Sequence, residues 1–332
     1  MKQLTEYLNR MTVPQKRRLG KVARFPGFLL TRFLYHGFLI CTSFIMLYPV
    51  IYMLSMTFRP ESDMNNPNVV WIPTSLTLGN IAKIWEYMDF PLLLRDTVIL
   101  CVVTAIIQVI VCGIVGYGFA RFNFKFKGLF TIILILTIIV PSQAVSIPNF
   151  LMYSNFDPLG LVSLINLMIE PNIKISLMDN PIVFYLPALF GMGMRSGIFI
   201  LIYRQFFRNL PKELEDAASV DGCGPIRTFI RIMIPNCRPV IVVVALFSIV
   251  WHWNDSYYVS LYFDSFQTIS SKLLQLSTDL NRLVGGIDAA NPFTKAVWIQ
   301  AGVALSILPM LIMYLFCQKF FVESVERSGL VG

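Results

Sequence analysis

Six long apolar segments alternate with polar connections along this chain. Each segment carries few charged residues and reaches about 20 residues, the length with which an α-helix crosses a bilayer core of about 30 Å. Short stretches that alternate apolar and polar residues, the pattern of a membrane barrel, are absent from the sequence. The pattern therefore predicts an all-α integral membrane protein with six transmembrane helices. The predicted spans are residues 33–58, 92–120, 129–150, 182–207, 240–261 and 296–320.

Composition agrees with this assignment to the membrane. Of the 332 residues, 56% are hydrophobic and 14% are charged, which is too little charge to cover the surface of a soluble domain of this length. Prolines lie in or beside four of the predicted spans, where they are expected either to kink helices or to serve ordinary packing. These prolines are Pro49, Pro141, Pro148, Pro187 and Pro309.

The distribution of basic residues predicts the orientation of the spans. Most of the 27 lysines and arginines lie in residues 1–32, in the connections that follow the second and fourth spans, and in the tail. Under the positive-inside rule these regions and both termini face the cytoplasm. We predict a basic cytoplasmic segment at 1–32, which can contact anionic membrane lipid, and one transmembrane domain at 33–332. The net charge of +8 follows from this topology, and nucleic-acid binding is not expected because no such motif accompanies it.

Motifs for catalysis, metal binding and nucleotide binding are absent from the sequence. Its two histidines, His36 and His252, cannot form a histidine-rich metal site, and its six cysteines include no Cys-x-x-Cys pair. No Gly-x-x-x-x-Gly-Lys-[Ser/Thr] loop is present, so ATP is not expected to bind by that route. We therefore predict no catalytic residue, no metal site and no cofactor in this chain.

The polar connection between the fourth and fifth spans, residues 208–238, has the pattern of two short helices. Pro211 suits the start of the first helix, because the N–H that proline lacks would be unpaired there. Acidic side chains follow in the first turns, where the helix dipole favours negative charge. They belong to Glu213, Glu215 and Asp216.

An apolar face and a glycine stop complete the first short helix. Leu214, Ala217 and Ala218 recur at i, i+3 and i+4, which predicts one face of small apolar residues. Gly222 is predicted to adopt a left-handed conformation that ends the helix. Such a helix could receive a cytosolic partner, or it could lie on the membrane surface as an interfacial helix.

The second short helix is also amphipathic. Its apolar residues are spaced i, i+3, i+4 and i+7, with Arg227 and Arg231 on the opposite face. Pro235 is predicted to stop it before the fifth span. The apolar residues are Ile226, Phe229, Ile230 and Met233.

The segment from Asp216 to Gly222, with Pro235 thirteen residues later, resembles the Glu-Ala-Ala-x-x-Asp-Gly…Pro signature of permease subunits of binding-protein-dependent ABC importers. The chain departs from that signature at Asp216, where glutamate is usual, and keeps a carboxylate one methylene shorter. In the family this helix docks into a cleft of the ATPase subunit, so the resemblance implies that 208–238 is an ATPase-docking loop. The implied docking residues are Glu215, Asp216, Ala217, Ala218, Asp221, Gly222 and Pro235.

The resemblance extends over the chain from about Phe33 and indicates a branch of the family. Trp251-His-Trp-Asn-Asp255 is similar to the Trp-x-Trp-Asn segment of the carbohydrate branch, the maltose and oligosaccharide type, and the tail from Gln318 is similar to that branch's tail. The resemblance implies the type I importer arrangement in the bacterial plasma (inner) membrane. It also implies four partners: a second homologous permease, a cytosolic ATPase dimer that binds the ATP, an extracytoplasmic solute-binding protein, and a carbohydrate substrate.

Aromatic and polar residues near the middle of the fifth span suggest a substrate path. Sugars offer flat C–H faces ringed by hydroxyls, which such mixtures of side chains match. At 1.5 Å per residue, Trp251 lies about 17 Å from the inner end of the span. An aromatic belt that anchors the helix at the membrane surface is the alternative. The candidate path residues are Trp251, Trp253, Asn254 and Tyr257.

Three further features suggest contacts outside this path. Gly193-x-x-x-Gly197 could bring two helices close together, and Arg195 between these glycines is costly in a membrane unless it is paired or near the interface. Residues 263–291 are predicted to form a flexible external loop that reaches the binding protein. Residues 165–180 are predicted to be an external insertion.

Two other functions are compatible with the pattern. The chain could be an ABC permease for a non-sugar solute such as an amino acid, peptide or polyamine. It could also be a secondary transporter that works without ATP, although the charges are confined mainly to loops and no internal repeat is evident. A membrane scaffold would leave the docking signature unexplained.

Overall fold

Every regular element in the described part of the chain is helical, which confirms the all-α prediction. The computed structural model describes residues 13–329 except 65, 67, 70, 168–172 and 285–291. Parts of the predicted N-terminal segment, the 165–180 insertion, the 263–291 loop and the tail therefore lie outside the described residues. The helices are α1 (Val13–Thr57), α2 (Gly79–Tyr87), α3 (Phe90–Arg121), α4 (Lys127–Ile139), α5 (Ser146–Ser154), α6 (Leu161–Asn166), α7 (Ile182–Leu189), α8 (Ser196–Asn209), α9 (Glu213–Val220), α10 (Pro225–Asn236), α11 (Arg238–Trp253), α12 (Tyr257–Tyr262), α13 (Ile269–Val284) and α14 (Pro292–Gly329).

Three helices are long and apolar enough to cross a membrane without interruption. They contain Thr31–Thr57 in α1, all of α3, and Phe293–Lys319 in α14. Two bent pairs of helices raise the count among the described residues to as many as five: Lys127–Ile139 with Ser142–Asn166, at 98°, and Pro225–Asn236 with α11, at 77°. The membrane character is thus supported, while the count of six spans stays a prediction.

Three of the predicted spans are broken rather than continuous. The span at 129–150 breaks at residues 140–145, where Pro141 cannot donate a helical hydrogen bond. The span at 182–207 breaks at 190–195, where Gly191 and Arg195 have φ values of 70° and 62°. The span at 240–261 breaks at 254–256, between α11 and α12. Kinks were expected at Pro141 and Pro187, but complete breaks were not, and the breaks at 190–195 and 254–256 contain no proline.

Helix α3 lies at the centre of the bundle and packs against α8 and α11. Its closest approach to α8 is at Gly116, where an added Cβ atom would lie 2.5 Å from Cβ of Tyr203 and 3.1 Å from two backbone atoms. Phe199, Tyr203 and Phe207 on α8 are fully buried beside it. Glycine at 116 therefore sets the distance between the two helices.

The first helix contributes little to this core. Helix α1 packs mainly against α14, and most of its apolar side chains from Phe33 onward are exposed. In a membrane protein such a surface is available to lipid or to another subunit. Exposed apolar side chains are likewise frequent on α4 and α14.

The segment predicted as a flexible external loop, 263–291, contains helix α13 and is not flexible throughout. Ile269, Leu276 and Leu280 fall on one face of α13 and are fully buried against α2, α14 and the start of α3. The polar residues that suggested a loop lie on the other face of this amphipathic helix. The prediction was wrong because the apolar residues of α13 are separated in the sequence by serine, threonine and other polar residues, which conceal the helical spacing.

Asp179 ties the predicted 165–180 insertion to the segment that precedes α13. Its carboxylate accepts backbone N–H groups of Asp264, Ser265 and Phe266, and also the hydroxyl of Ser265. These donors, the Ser265 hydroxyl first, lower the pKa of Asp179 to about 2. The described end of the insertion is therefore bound to its own chain.

Candidate functional site

The predicted glycine stop of the docking helix is confirmed. Gly222 has a φ of 75°. Its N–H donates to the carbonyl of Ser219, and the N–H of Cys223 donates to the carbonyl of Ala218. These two bonds form the Schellman motif, which satisfies the last carbonyls of α9 and requires a left-handed residue at the glycine position. The turn into α10 therefore depends on residue 222.

The docking residues implied by the family resemblance do not share one environment. Asp216, Ala217, Asp221, Gly222 and Pro235 are exposed. Ala218 is buried, at 2% exposure, so the prediction that Ala217 and Ala218 share one face is wrong. Neighbouring residues of a helix are 100° apart, and here they fall on opposite sides of the boundary between surface and core.

Glu215 is held inside the chain instead of pointing outward. Its Oε1 atom accepts a 2.6 Å hydrogen bond from the hydroxyl of Tyr117, and its Oε2 atom lies 3.2 Å from Nε of Arg121. Arg121 also donates to the carbonyl oxygen of Leu210 at 2.8 Å. Both partners belong to the last turns of α3. Glu215 therefore joins the docking helix to the central helix of the bundle.

Replacement of Glu215 by alanine is expected to loosen α9 from α3 while the exposed docking residues stay unchanged. The variant loses one charge-assisted hydrogen bond and leaves Arg121 without its carboxylate, at a cost of about 2 kcal/mol. Proteolysis or hydrogen exchange of residues 208–238 should detect the loosening. Glu213→Ala is the matched control, because Glu213 is exposed in the same helix. Equal exchange in both variants would contradict the assigned role of Glu215.

The second short helix, α10, places apolar side chains on both sides. Phe229 packs against Tyr117, with ring centroids 4.8 Å apart, and Met233 is fully buried. Ile226 and Ile230 are 76% and 56% exposed. The predicted single apolar face is therefore divided between core and surface. Pro235 lies within the helix, which contains a π-turn at Phe229–Met233 and ends at Asn236, so it is not the stop that the sequence suggested.

The three helix breaks lie at a similar depth in the bundle. Measured from the basic residues Lys127, Arg208 and Arg238, the breaks follow about 18 to 23 Å of helix. Gln108 of α3 lies at the same level, about 20 Å from Arg121. Non-helical backbone at this depth is tolerated only where it is buried in protein or lines a water-filled cavity. We call residues 140–146, 190–196 and 254–257 the break cluster.

Side chains connect the break cluster with itself and with the helices beside it. The hydroxyls of Ser146 and Tyr257 are 3.1 Å apart. The guanidinium carbon of Arg195 lies 5.4 Å from the ring centroid of Trp251. An added Cβ at Gly197 would lie 2.6 Å from Oγ1 of Thr137, so α4 and α8 touch just beside their breaks.

Gln108 supports the break cluster from the central helix. Its amide nitrogen donates to the carbonyl of Met194 at 2.8 Å and to the hydroxyl of Ser196 at 2.9 Å. Its amide oxygen accepts the hydroxyl of Ser248 at 2.6 Å. One fully buried side chain thus links α3 to α8 and α11. This link could not be predicted from local sequence, because the partners of Gln108 lie 86, 88 and 140 residues away.

The candidate path residues divide into two groups. Asn254 and Tyr257 are exposed, and Trp251 is half-buried between Phe199, Phe247 and Arg195. Trp253 is 6% exposed and donates its Nε1–H to the carbonyl of Ser306 at 3.2 Å. Trp253 therefore packs in the core in this structure, and its role in a substrate path stays a prediction.

Comparison with known proteins gives a consistent result. Residues 109–327 match the family described as binding-protein-dependent transport system inner membrane component. The chain is 25% identical to the probable ABC transporter permease protein YurM of Bacillus subtilis, over 86% of this chain and 84% of the relative. It is 24% identical to the arabinooligosaccharides transport system permease protein AraQ of Halalkalibacterium halodurans, over 87% and 93%.

A solved structure has a similar fold. It is a bacterial ABC transporter involved in the import of the acidic polysaccharide alginate, and the superposition has a TM-score of 0.69 at 19% sequence identity. The match covers 88% of this chain and 96% of the solved chain. At this identity the similarity concerns the fold alone.

Proposed function

The chain belongs to the family of inner membrane components of binding-protein-dependent transport systems, and from this premise we propose that it carries saccharides inward as one of two permease subunits of an ABC importer. The observation that carries the proposal is the attachment of the exposed docking helix α9 to the central helix α3 through Glu215. The relative named for arabinooligosaccharides and the aromatic and polar character of the break cluster support a saccharide as the substrate.

The distribution of charge supports an orientation for the proposed complex. The docking loop and the basic ends of α3, α4, α8 and α11 face the cytoplasm. A cytosolic ATPase dimer, which binds the ATP, receives α9 and the exposed isoleucines of α10. A solute-binding protein delivers the saccharide at the opposite end. A second homologous permease covers part of the exposed helix surface.

The mechanism follows from the links between the docking helix and the break cluster. When ATP binding closes the ATPase dimer, α9 moves with it. The bond of Glu215 to Tyr117 and its ion pair with Arg121 pass this movement to α3, which runs without a break from Arg121 to Gln108. Gln108 then displaces the start of α8, through its bonds to Met194 and Ser196, and the middle of α11, through its bond to Ser248. The break cluster, which has no continuous helical hydrogen bonding, is where the bundle can open and close.

The two tryptophans are expected to respond differently to substitution. Trp251→Ala should raise the saccharide concentration for half-maximal uptake about tenfold, because an aromatic stacking surface worth about 1.4 kcal/mol is lost. Trp253→Ala should reduce the amount of folded chain, because a core cavity costs about 3 kcal/mol. Uptake kinetics and membrane abundance, measured for both, separate the roles. If Trp251→Ala and Trp253→Ala changed uptake kinetics and membrane abundance equally, the different roles assigned to the two tryptophans would be wrong.

Saccharide uptake tests the proposed function. Cells from which the gene for this chain has been deleted, and the same cells complemented with it, are given a panel of neutral and acidic oligosaccharides. Accumulation is measured by mass spectrometry. Import of at least one saccharide only in complemented cells is the expected result. If amino acids, peptides or polyamines accumulate instead, or if uptake continues after ATP depletion, the proposal is overturned.

A further inference from the structure

Arg195 is the exposed cation of the break cluster. It has a left-handed backbone, with a φ of 62°, immediately before α8. Its guanidinium makes no hydrogen bond or ion pair with any residue that the structure describes. Its contact is with the face of Trp251, at 5.4 Å from the ring centroid. The five N–H donors of the guanidinium are therefore available to another molecule.

The depth of Arg195 makes an available guanidinium costly. It lies about 20 Å along α8 from Arg208, and Trp251 lies at the same distance along α11 from Arg238. A bilayer core is about 30 Å thick, so both side chains are well inside it. An arginine at such depth costs about 3 kcal/mol unless it faces water or an anion. The residue thus requires a functional explanation.

The acidic residue of the break cluster does not neutralise Arg195. Asp255 is buried, at 8% exposure, and its carboxylate accepts the backbone N–H of Tyr258 at 3.0 Å. No ion pair joins it to Arg195 among the described residues. The exposed polar residues of the 254–257 break, Asn254 and Tyr257, are neutral. Among the described residues of the break cluster, Arg195 is thus the only exposed charge.

The pair of Arg195 and Trp251 has the chemistry of an acidic saccharide site. The planar guanidinium can bind a carboxylate with two parallel hydrogen bonds, and the indole beneath it is already packed against Phe199 and Phe247. Stacking on the indole holds the guanidinium in place before the substrate arrives. A neutral sugar would leave the charge of the guanidinium unpaired.

We propose that the imported saccharide carries acidic groups and that Arg195 is the specificity-determining residue that binds them in the break cluster. This inference rests on the proposed function and narrows its substrate class. The alternative partner of the Arg195 guanidinium is an acidic side chain of the second permease. Uptake of acidic and neutral saccharides by Arg195 variants distinguishes a substrate contact from a subunit contact.

The test compares uptake of acidic and neutral saccharides by the whole importer in cells deleted for this chain. The probes are oligomers of galacturonate, mannuronate and guluronate, and neutral oligomers of arabinose, xylose and glucose. Arg195→Asn removes the charge while asparagine tolerates the left-handed backbone. Arg195→Lys keeps the charge but not the planar fork. Lys125→Gln, which removes an exposed charge from the connection between α3 and α4, is the matched control.

The unaltered importer and Lys125→Gln are expected to accumulate an acidic oligomer. Arg195→Asn should raise its half-maximal concentration about tenfold or more, with a partial recovery in Arg195→Lys. Import of neutral oligomers alone, or equal kinetics in Arg195→Asn, would overturn the inference and leave the proposed function intact. Loss of the second permease from the purified Arg195→Asn complex would overturn it in favour of a subunit contact. Import of no saccharide by the unaltered importer would overturn the proposed function and this inference together.

Discussion

Replacement of Gly222 by valine is expected to abolish saccharide uptake. The left-handed conformation costs an L-residue about 1 to 2 kcal/mol, and a β-branched side chain is among the least tolerant of it. Space is not the obstacle, because an added Cβ atom at Gly222 would meet no atom within 4 Å. The strain is therefore in the backbone of the turn. Relief of this strain breaks the two hydrogen bonds, Gly222 N–H to Ser219 O and Cys223 N–H to Ala218 O, that end α9 and fix the direction of α10. Uptake and membrane abundance of the variant are the measurements.

Gly222→Asn separates the turn from the side chain. Asparagine adds a larger polar group but tolerates the left-handed region, so this variant should keep most of the uptake. Normal abundance of the valine variant together with lost uptake would place its defect in coupling. If the valine variant imports saccharide as well as the unaltered chain does, the turn at Gly222 is not required for coupling.

Replacement of Gly116 by alanine is expected to destabilise the folded chain by about 3 kcal/mol. The new methyl group would lie 2.5 Å from Cβ of Tyr203 and 3.1 Å from the backbone N of Arg204 and the carbonyl O of Ile200. Backbone atoms cannot rotate away as the end of a flexible side chain can, so α3 and α8 must separate. Buried partners such as Phe207 would then lose contacts. Thermal unfolding of the purified chain in detergent measures the loss.

Gly118→Ala is the matched control for this prediction. Gly118 lies two residues further along α3, and an added Cβ atom there would meet no atom within 4 Å. Alanine at this position should leave stability unchanged or raise it by up to about 1 kcal/mol, because alanine has the higher helix propensity. Equal unfolding temperatures for the two variants would contradict the assignment of Gly116 as the closest helix contact.

Features encoded within one helical turn could be predicted from the sequence. The left-handed glycine at the end of α9 depends on a few neighbouring residues, and the apolar segments depend on composition alone. The path residues Asn254 and Tyr257 were likewise found from local chemistry, and both are exposed beside a helix break. The substrate role of these residues stays a prediction.

Features that depend on distant partners could not be predicted. Glu215 reaches Tyr117 across 98 residues of sequence, and only the fold shows that the carboxylate points inward. Trp251 and Trp253 have the same local chemistry, yet two residues of a helix are about 200° apart, so Trp253 is buried in the core and Trp251 is half-buried at its edge. The breaks in three predicted spans arise in the same way. At the break that contains Pro141, whether the proline kinks or interrupts the helix depends on the neighbours that satisfy the freed carbonyls.

Purification of the tagged chain from its native membranes in mild detergent, with mass spectrometry of what accompanies it, tests the central claim most directly. The claim is that a membrane permease is coupled to an ATPase through the α9 turn. The unaltered chain is predicted to recover a second permease and an ATPase. Gly222→Val should keep the permease and lose the ATPase. Recovery of the chain alone, or equal recovery of the ATPase by both forms, would contradict the account.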